Sequence, residues 1–364
     1  MVNTMEDYIV IAREMARKNF DSRKEITKKF VEIFKKKKYK RVIIIASGSS
    51  YNIANNARCF MQKYLQMEVK VIWPNVFVYY DYNTVNDDDL VLVLTQGGHS
   101  TNTIAALSKL KEMKIDAACF TNWPDSPVKE YAKWVISYNS APGDKFVTKG
   151  LVISTLFLML CALEAALATD RISKEKYDDL VSQFELVLNK KLEEAQIIAI
   201  DFYENHRDFC QTFDRLMVVG CGATWGTALE AALKFTETQG CPATAFDLEE
   251  IIHGPDYEIY QNHTVLFIDG TTSPVHERMM TIYNSMKLLT NRVMIETSDS
   301  TVGGDYVLRF EDDGIEEEIA ALYYIVPFQL IVERGCIDTR ISSIDRRNIA
   351  FKKAVAPKLP GNKF

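Results

Sequence analysis

Two stretches of this chain, roughly half its length apart, repeat one short pattern, and that repeat restricts the fold more than any other feature. VIIIASGSSYNIA at residues 42–54 aligns with LMVVGCGATWGTA at residues 216–228, with Gly48 opposite Gly222. Each is an apolar run of the kind that forms a buried parallel strand, then a turn of small residues, then a helix start. A duplicated α/β unit accounts for the match. Around the first copy, apolar runs at 69–73, 90–95, 117–121 and 133–138 predict strands, with helices at 53–65 and 102–113. Around the second, strands are predicted at 215–219, 264–269, 292–296 and 306–310, and helices at 227–238, 276–289 and 315–333. Strands alternating with helices imply right-handed crossovers and parallel sheets covered on both faces. The fold class is therefore α/β, with two tandem Rossmann-like domains of the flavodoxin type.

At 364 residues the chain is too long for one ordinary domain. The expected division is a helical, amphipathic segment at 1–39 able to pack on a neighbour, domains at 40–180 and 181–345, and a basic, extended tail at 346–364 near the active site. Residues 171–205 read as a charged helical connector. The apolar run at 151–168 contains Glu164 and is short of the ~20 clean apolar residues of a membrane span, so a buried helix is expected and no membrane partner. A net charge of −6 argues against nucleic acid as a partner. The four lysines at 35–38 either follow a helix end or lie on a solvated face. No basic segment precedes an apolar core at the start, so no signal peptide is expected. The seven cysteines are scattered and form no CxxC pair. They read as reduced core thiols in a cytoplasmic protein.

In open parallel sheets ligands bind beyond the carboxyl ends of the strands. Two loops there carry chemistry: Ser47-Gly48-Ser49-Ser50 after the first strand and Thr95-Gln96-Gly97-Gly98-His99-Ser100-Thr101 after the third. Hydroxyls and free backbone N–H groups at helix starts suit a phosphate dianion. The same loops are also explained if Ser50 and Ser100 or Thr101 merely cap the following helices. Neither GxxxxGK[ST] nor GxGxxG occurs, which disfavours ATP and dinucleotides. No cofactor is expected, and no Cys/His spacing suggests a metal. In the second half, Glu230, Lys234 and Glu237 share one helical face, a pattern that usually means a solvated ladder of ion pairs. His253 precedes Gly254-Pro255, where a helix should stop. A loop histidine of this kind is commonly structural or exposed.

Together these segments resemble the sugar-isomerase (SIS) domains of the isomerase half of glucosamine-6-phosphate synthase and of the fructosamine-6-phosphate deglycases, in which two SIS domains stand in tandem. ASGSS and LTQGGHST resemble the family's phosphate-gripping loops, the second of which typically reads SQSGET. The resemblance implies that Ser49, Ser50, Thr95, Gln96, Gly97 and Ser100 line a sugar-phosphate site. Gly97 replaces a serine and keeps only its backbone donor. His99 replaces a glutamate and either adds positive charge or faces solvent. ALEAALKFTE followed by HGP resembles the ALEGALKLKE…HGP signature. That match implies Glu237 as the base shuttling a proton between C1 and C2, Glu230 and Lys234 as its supports, and His253 as acid or ring opener. The family's histidine serves the partner subunit's site, which implies a homodimer with shared active sites. The tail RRNIAFKK has Phe351 where the synthase carries a Schiff-base lysine; Lys352, next to it, is retained as a supporting candidate. Without a glutaminase half, amino transfer from glutamine is not expected. The implied activity is an enzymatic one: deglycation of a fructosamine 6-phosphate to a hexose 6-phosphate and an amine or amino acid. The alternatives are an aldose–ketose isomerase or amino-sugar-phosphate deaminase on the same scaffold, or a non-catalytic sugar-phosphate sensor.

Overall fold

The structure, a computed structural model, describes residues 4–340 and 348–360. The chain forms two compact units, one built on residues 10–180 with the C-terminal segment, the other on residues 181–345 with the start of the first helix.

In the first unit, β1 (Arg41–Ile45), β2 (Glu68–Ile72), β3 (Asp89–Leu94), β4 (Ala117–Thr121) and β5 (Trp134–Ser137) form a parallel sheet in the order β2-β1-β3-β4-β5. This is the flavodoxin order. β1 and β3 are central, with Ile45 in register with both Ile72 and Val93. Their side chains are buried along nearly the whole strand, which is why they read as continuous Val/Ile/Leu runs and not as alternation. Ile43, Ile45, Val91 and Val93 share a core with Ile104 and Leu107 of the helix Thr101–Glu112.

The long apolar helix Thr148–Ala168 is buried on all sides. Its one acid, Glu164, accepts a hydrogen bond from Tyr177 Oη at 2.6 Å and lies 3.3 Å from Arg23 Nε, so the buried charge is answered within the protein. A second stretch, Glu317–Thr339, is also long and apolar enough to cross a membrane, and it too is enclosed by protein. The helix Arg23–Phe34 sets Phe30, Ile33 and Phe34 into the chain's own core, and the four lysines that follow it are exposed, as expected. The tail departs from the extended chain expected of it. Ile349–Val355 is helical, and the residues beyond it return to the loop after β3.

In the second unit, β6 (Leu216–Gly220), β7 (Ala243–Asp247), β8 (Thr264–Ile268), β9 (Val293–Thr297) and β10 (Val307–Arg309) form a parallel sheet in the order β10-β9-β8-β6-β7. Counted from its own first strand, this is the first sheet's order again. Gly48 and Gly222, aligned by the repeat, both hold φ of +58°. Three features depart from the sequence reading. β7 was not foreseen, because this edge strand is half exposed and ATAFD has no apolar run. The single helix expected at 315–333 is two, Glu317–Tyr324 and Val326–Thr339, with Pro327 in the first turn of the second. The supposed connector is part of the core, with Leu188, Leu192, Ala195 and Ala199 buried. The seven cysteines are free thiols, five of them buried.

Candidate functional site

Strand order reverses between β1 and β3, the switch point where flavodoxin-like sheets hold their ligands. The loop after β1 enters the helix Ser49–Leu65, and the loop after β3 enters Thr101–Glu112. Between them lies a cavity of about 160 Å³. Ser49, Ser50, Thr95, Gln96, Gly97 and Ser100 all line it. Thr103 and Lys358 line it too, and neither was picked out from sequence.

The alternative explanation for these hydroxyls, plain helix capping, does not describe the structure. Gly48 occupies the N-cap of the first helix, and Ser100, at the N-cap of the second, makes no side-chain capping bond. Neither N-cap residue therefore spends a side chain on its helix end. Gly48 holds φ +58° and ψ −140°, a conformation largely reserved for glycine, and a Cβ there would meet nothing within 4 Å. The backbone turn, not space, demands glycine. Gln96 is oriented from behind: its Nε2 donates to Asp144 Oδ2 at 2.8 Å, and Asp144 also accepts from Gly150 N at 2.9 Å. Burial holds the Asp144 carboxyl above its usual pKa despite these donors. His99 lies partly buried at the cavity wall, its Nδ1 2.6 Å from the Gly97 carbonyl oxygen.

The same switch point in the second sheet has different chemistry. Asp269 follows β8 directly, where Thr95 follows β3. It accepts from Thr297 Oγ1 at 2.7 Å and lies 3.0 Å from His276 Nδ1, whose Nε2 is 3.3 Å from Asp299. Burial opposes charge on His276, but the two carboxylates outweigh it and hold the imidazole above its ordinary pKa. The nearby hollow of about 10 Å³, bordered by Glu311, Asp312, Asp313 and Glu317, has room for one water at most. Acidic walls and lack of space both exclude a phosphate dianion. Glu194, Glu311 and Asp313 come together as ligands to a metal would, but Lys191, fully buried, sits 2.7 Å from Glu194 and 3.0 Å from Asp313 and fills that role.

The second unit's contribution is the charged helix. Lys234 Nζ lies 2.8 Å from Glu230 Oε1 and 2.5 Å from Glu237 Oε1. This is no solvated ladder: Glu230 and Lys234 have side chains 0% exposed and Glu237 30%. Burial works against the lysine's charge, yet the two glutamates more than offset it and raise its pKa. The α-helix Trp225–Lys234 widens into a π-helical turn at Phe235–Gln239, which carries Glu237. Such turns recur at functional sites. His253 ends the 3-10 turn Glu250–Ile252, and Gly254 beyond it has φ +126°. The His253 side chain is exposed, and its ring has no hydrogen-bond partner among the described residues. Phe351 and Lys352 are exposed on the tail helix and outside the cavity lining.

Fold and site thus define an α/β chain of two flavodoxin-type units, the first with an anion-suited cavity at its switch point. Residues 34–168, within the first unit, match the SIS domain model. Across both units the chain is similar to about half the length of isomerizing glutamine–fructose-6-phosphate aminotransferases. It is 24% identical over 312 residues to the enzyme of Caldanaerobacter subterraneus subsp. tengcongensis (82% of this chain, 50% of the relative), and 24% over 351 residues to that of Francisella tularensis (93% and 54%). The chain spans about half the length of these relatives. Among solved structures, a Clostridium difficile protein provisionally assigned as a phosphosugar isomerase superposes with TM-score 0.86 at 22% identity, covering 98% of this chain and 99% of that one. The C-terminal domain of the Francisella tularensis aminotransferase does so with 0.80 at 18% (92% and 95%), and a Thermotoga maritima glucosamine-6-phosphate deaminase with 0.68 at 22% (90% and 96%).

Proposed function

We propose that the chain is a deglycase that splits a fructosamine 6-phosphate into a hexose 6-phosphate and an amine or amino acid. The observation that carries the substrate class is the cavity at the first switch point, which is lined by hydroxyls and lies at the starts of two helices whose N-cap residues make no side-chain capping bond. The relatives' names support it, since each concerns a phosphorylated sugar. In this reading the phosphate is held by Ser49, Ser50, Thr95, Gln96, Gly97 and Ser100. Glu237 removes a proton from C1 of the open-chain ketosamine, giving an enaminol, and returns it to C2. The resulting imine at C1 is hydrolysed by water, which releases the amine and leaves the aldehyde. A half-shielded carboxylate held by a buried lysine suits a base that must take and return the same proton. Glu230 fixes Lys234, and Lys234 in turn fixes Glu237. His253, exposed and with no hydrogen-bond partner among the described residues, is assigned as acid and ring opener in the site of a second copy, in a homodimer. The seven free thiols suit a reducing compartment such as the cytoplasm.

A second reading, an aldose–ketose isomerase or amino-sugar-phosphate deaminase, has one observation in its favour. An amine, Lys358, lines the cavity although Phe351 does not supply one. A non-catalytic sensor has no use for a proton-transfer group supported by a fully buried ion pair. Incubating the protein with phosphorylated fructosamines, ketoses and hexosamines separates these readings. Release of amine and hexose 6-phosphate from the fructosamines is expected. Turnover of hexosamine phosphate or ketose phosphate alone would transfer the assignment to the second reading, and tight binding with no turnover to the sensor.

A further inference from the structure

We infer that Lys358, delivered by the C-terminal tail, supplies the positive charge that the phosphate cavity otherwise lacks. The inference rests on the reading of that cavity as a phosphate site. After the tail helix the chain doubles back along the loop that follows β3. Thr101 N donates to Pro357 O at 3.1 Å, Leu359 N donates to His99 O at 2.9 Å, and Ser100 and Lys358 form an antiparallel bridge between those two bonds. Leu359 packs against the apolar core of the first unit. Lys358 is thus pinned on both sides by backbone hydrogen bonds, directly opposite a residue of the phosphate loop.

The rest of the wall offers hydroxyls, an amide and backbone donors, but no fixed cation. Among the described residues that line the cavity, Lys358 is the one lysine or arginine. It stands exposed on the rim and has no carboxylate within ion-pair reach among the described residues. What crowding its ammonium has, together with Lys352 nearby, pulls its pKa below the ordinary lysine value. An uncompensated ammonium beside a neutral pocket is stabilised when a dianion enters. Because the bridge joins the tail to the phosphate loop itself, binding of a phosphate monoester would also fasten the tail.

Isothermal titration of the full chain with inorganic phosphate and with fructose 6-phosphate tests this, using the wild type, Lys358→Met and Lys358→Arg at low and high salt, with unphosphorylated fructose as control. Lys358→Met is expected to weaken both phosphates about 10-fold or more and to flatten the salt dependence. Lys358→Arg, which keeps the charge but cannot form an imine, is expected to stay within about threefold of wild type. Unchanged affinity in Lys358→Met would overturn the inference and leave the phosphate site standing. A loss in Lys358→Arg equal to that in Lys358→Met would overturn it in favour of a role for the amine itself. A wild type that binds neither phosphate would overturn the site and the inference together. Thermal unfolding of each variant shows whether a loss of affinity is a loss of fold.

Discussion

At the scale of single residues, sequence spacing gives direction but not surroundings. The positions of Glu230, Lys234 and Glu237 place them on one helical face, yet nothing in that spacing says whether water or protein covers it. The structure buries Glu230 and Lys234 completely, and this separates a buried ion-pair cluster from an ordinary surface ladder. Lys358 was illegible for a related reason. Its place depends on the tail returning across more than two hundred residues of sequence to pair with Ser100, and no local pattern encodes that. Glu296 shows burial acting alone. It is fully buried on β9, neither carboxylate oxygen has a hydrogen-bond partner among the described residues, and burial pushes its pKa well above the usual value. With the folded-state pKa above the unfolded one, Glu296 costs nothing below the unfolded pKa of about 4.3. As pH rises from there toward the folded pKa, stability is lost at up to about 1.4 kcal/mol per pH unit. Glu296→Gln should therefore match wild type in melting temperature near pH 4 to 5 and exceed it increasingly toward pH 8. A gap that does not widen with pH would show that the carboxyl is not titrating against burial.

At the scale of elements, strands and helices that bury a whole face were readable, and those deciding a local detail were less so. The central strands β1, β3, β6 and β8 announce themselves as unbroken apolar runs because both their faces are covered. β7 does not, because an edge strand with an exposed side needs no such run. From composition the turn after β1 reads either as a phosphate loop or as helix caps. That glycine, not serine, occupies the N-cap there needed the structure. Gly48→Ala tests how far this turn is a backbone device. Placing a side chain at φ +58° should cost about 1–3 kcal/mol, and it should weaken inorganic phosphate binding by disturbing the N–H groups of the first turn. Gly222→Ala, at the same φ in the second sheet, should cost comparable stability and leave phosphate affinity unchanged. Equal effects of both changes on affinity would contradict the assignment of phosphate binding to the first sheet alone.

At the scale of the whole molecule, duplication followed by divergence is the main theme. The repeat was readable from two short segments, and both copies fold with one strand order. What divides their labour is chemistry at the switch points: Thr95 and Gln96 after β3, Asp269 and Gly270 after β8. The second copy has a buried acid where the first has a threonine, and it carries the glutamate–lysine helix. If His253 serves the site of a second copy, Glu237→Gln and His253→Ala should each be inactive alone. Unfolded together and refolded as a mixture, they should recover up to about a quarter of wild-type activity, from symmetric dimers with one intact site in each heterodimer. Recovery no greater than that of the separate variants would place both residues in one subunit's site.

If the first unit binds the phosphate and the second moves the proton, substitution at Glu237 separates binding from turnover. Measured side by side on a fructosamine 6-phosphate, Glu237→Gln should bind the substrate within about threefold of wild type while its turnover falls by about 10²–10⁴. Turnover near the wild-type level would remove Glu237 from the chemistry, and a parallel collapse of binding would show that it holds the sugar phosphate instead of acting on it.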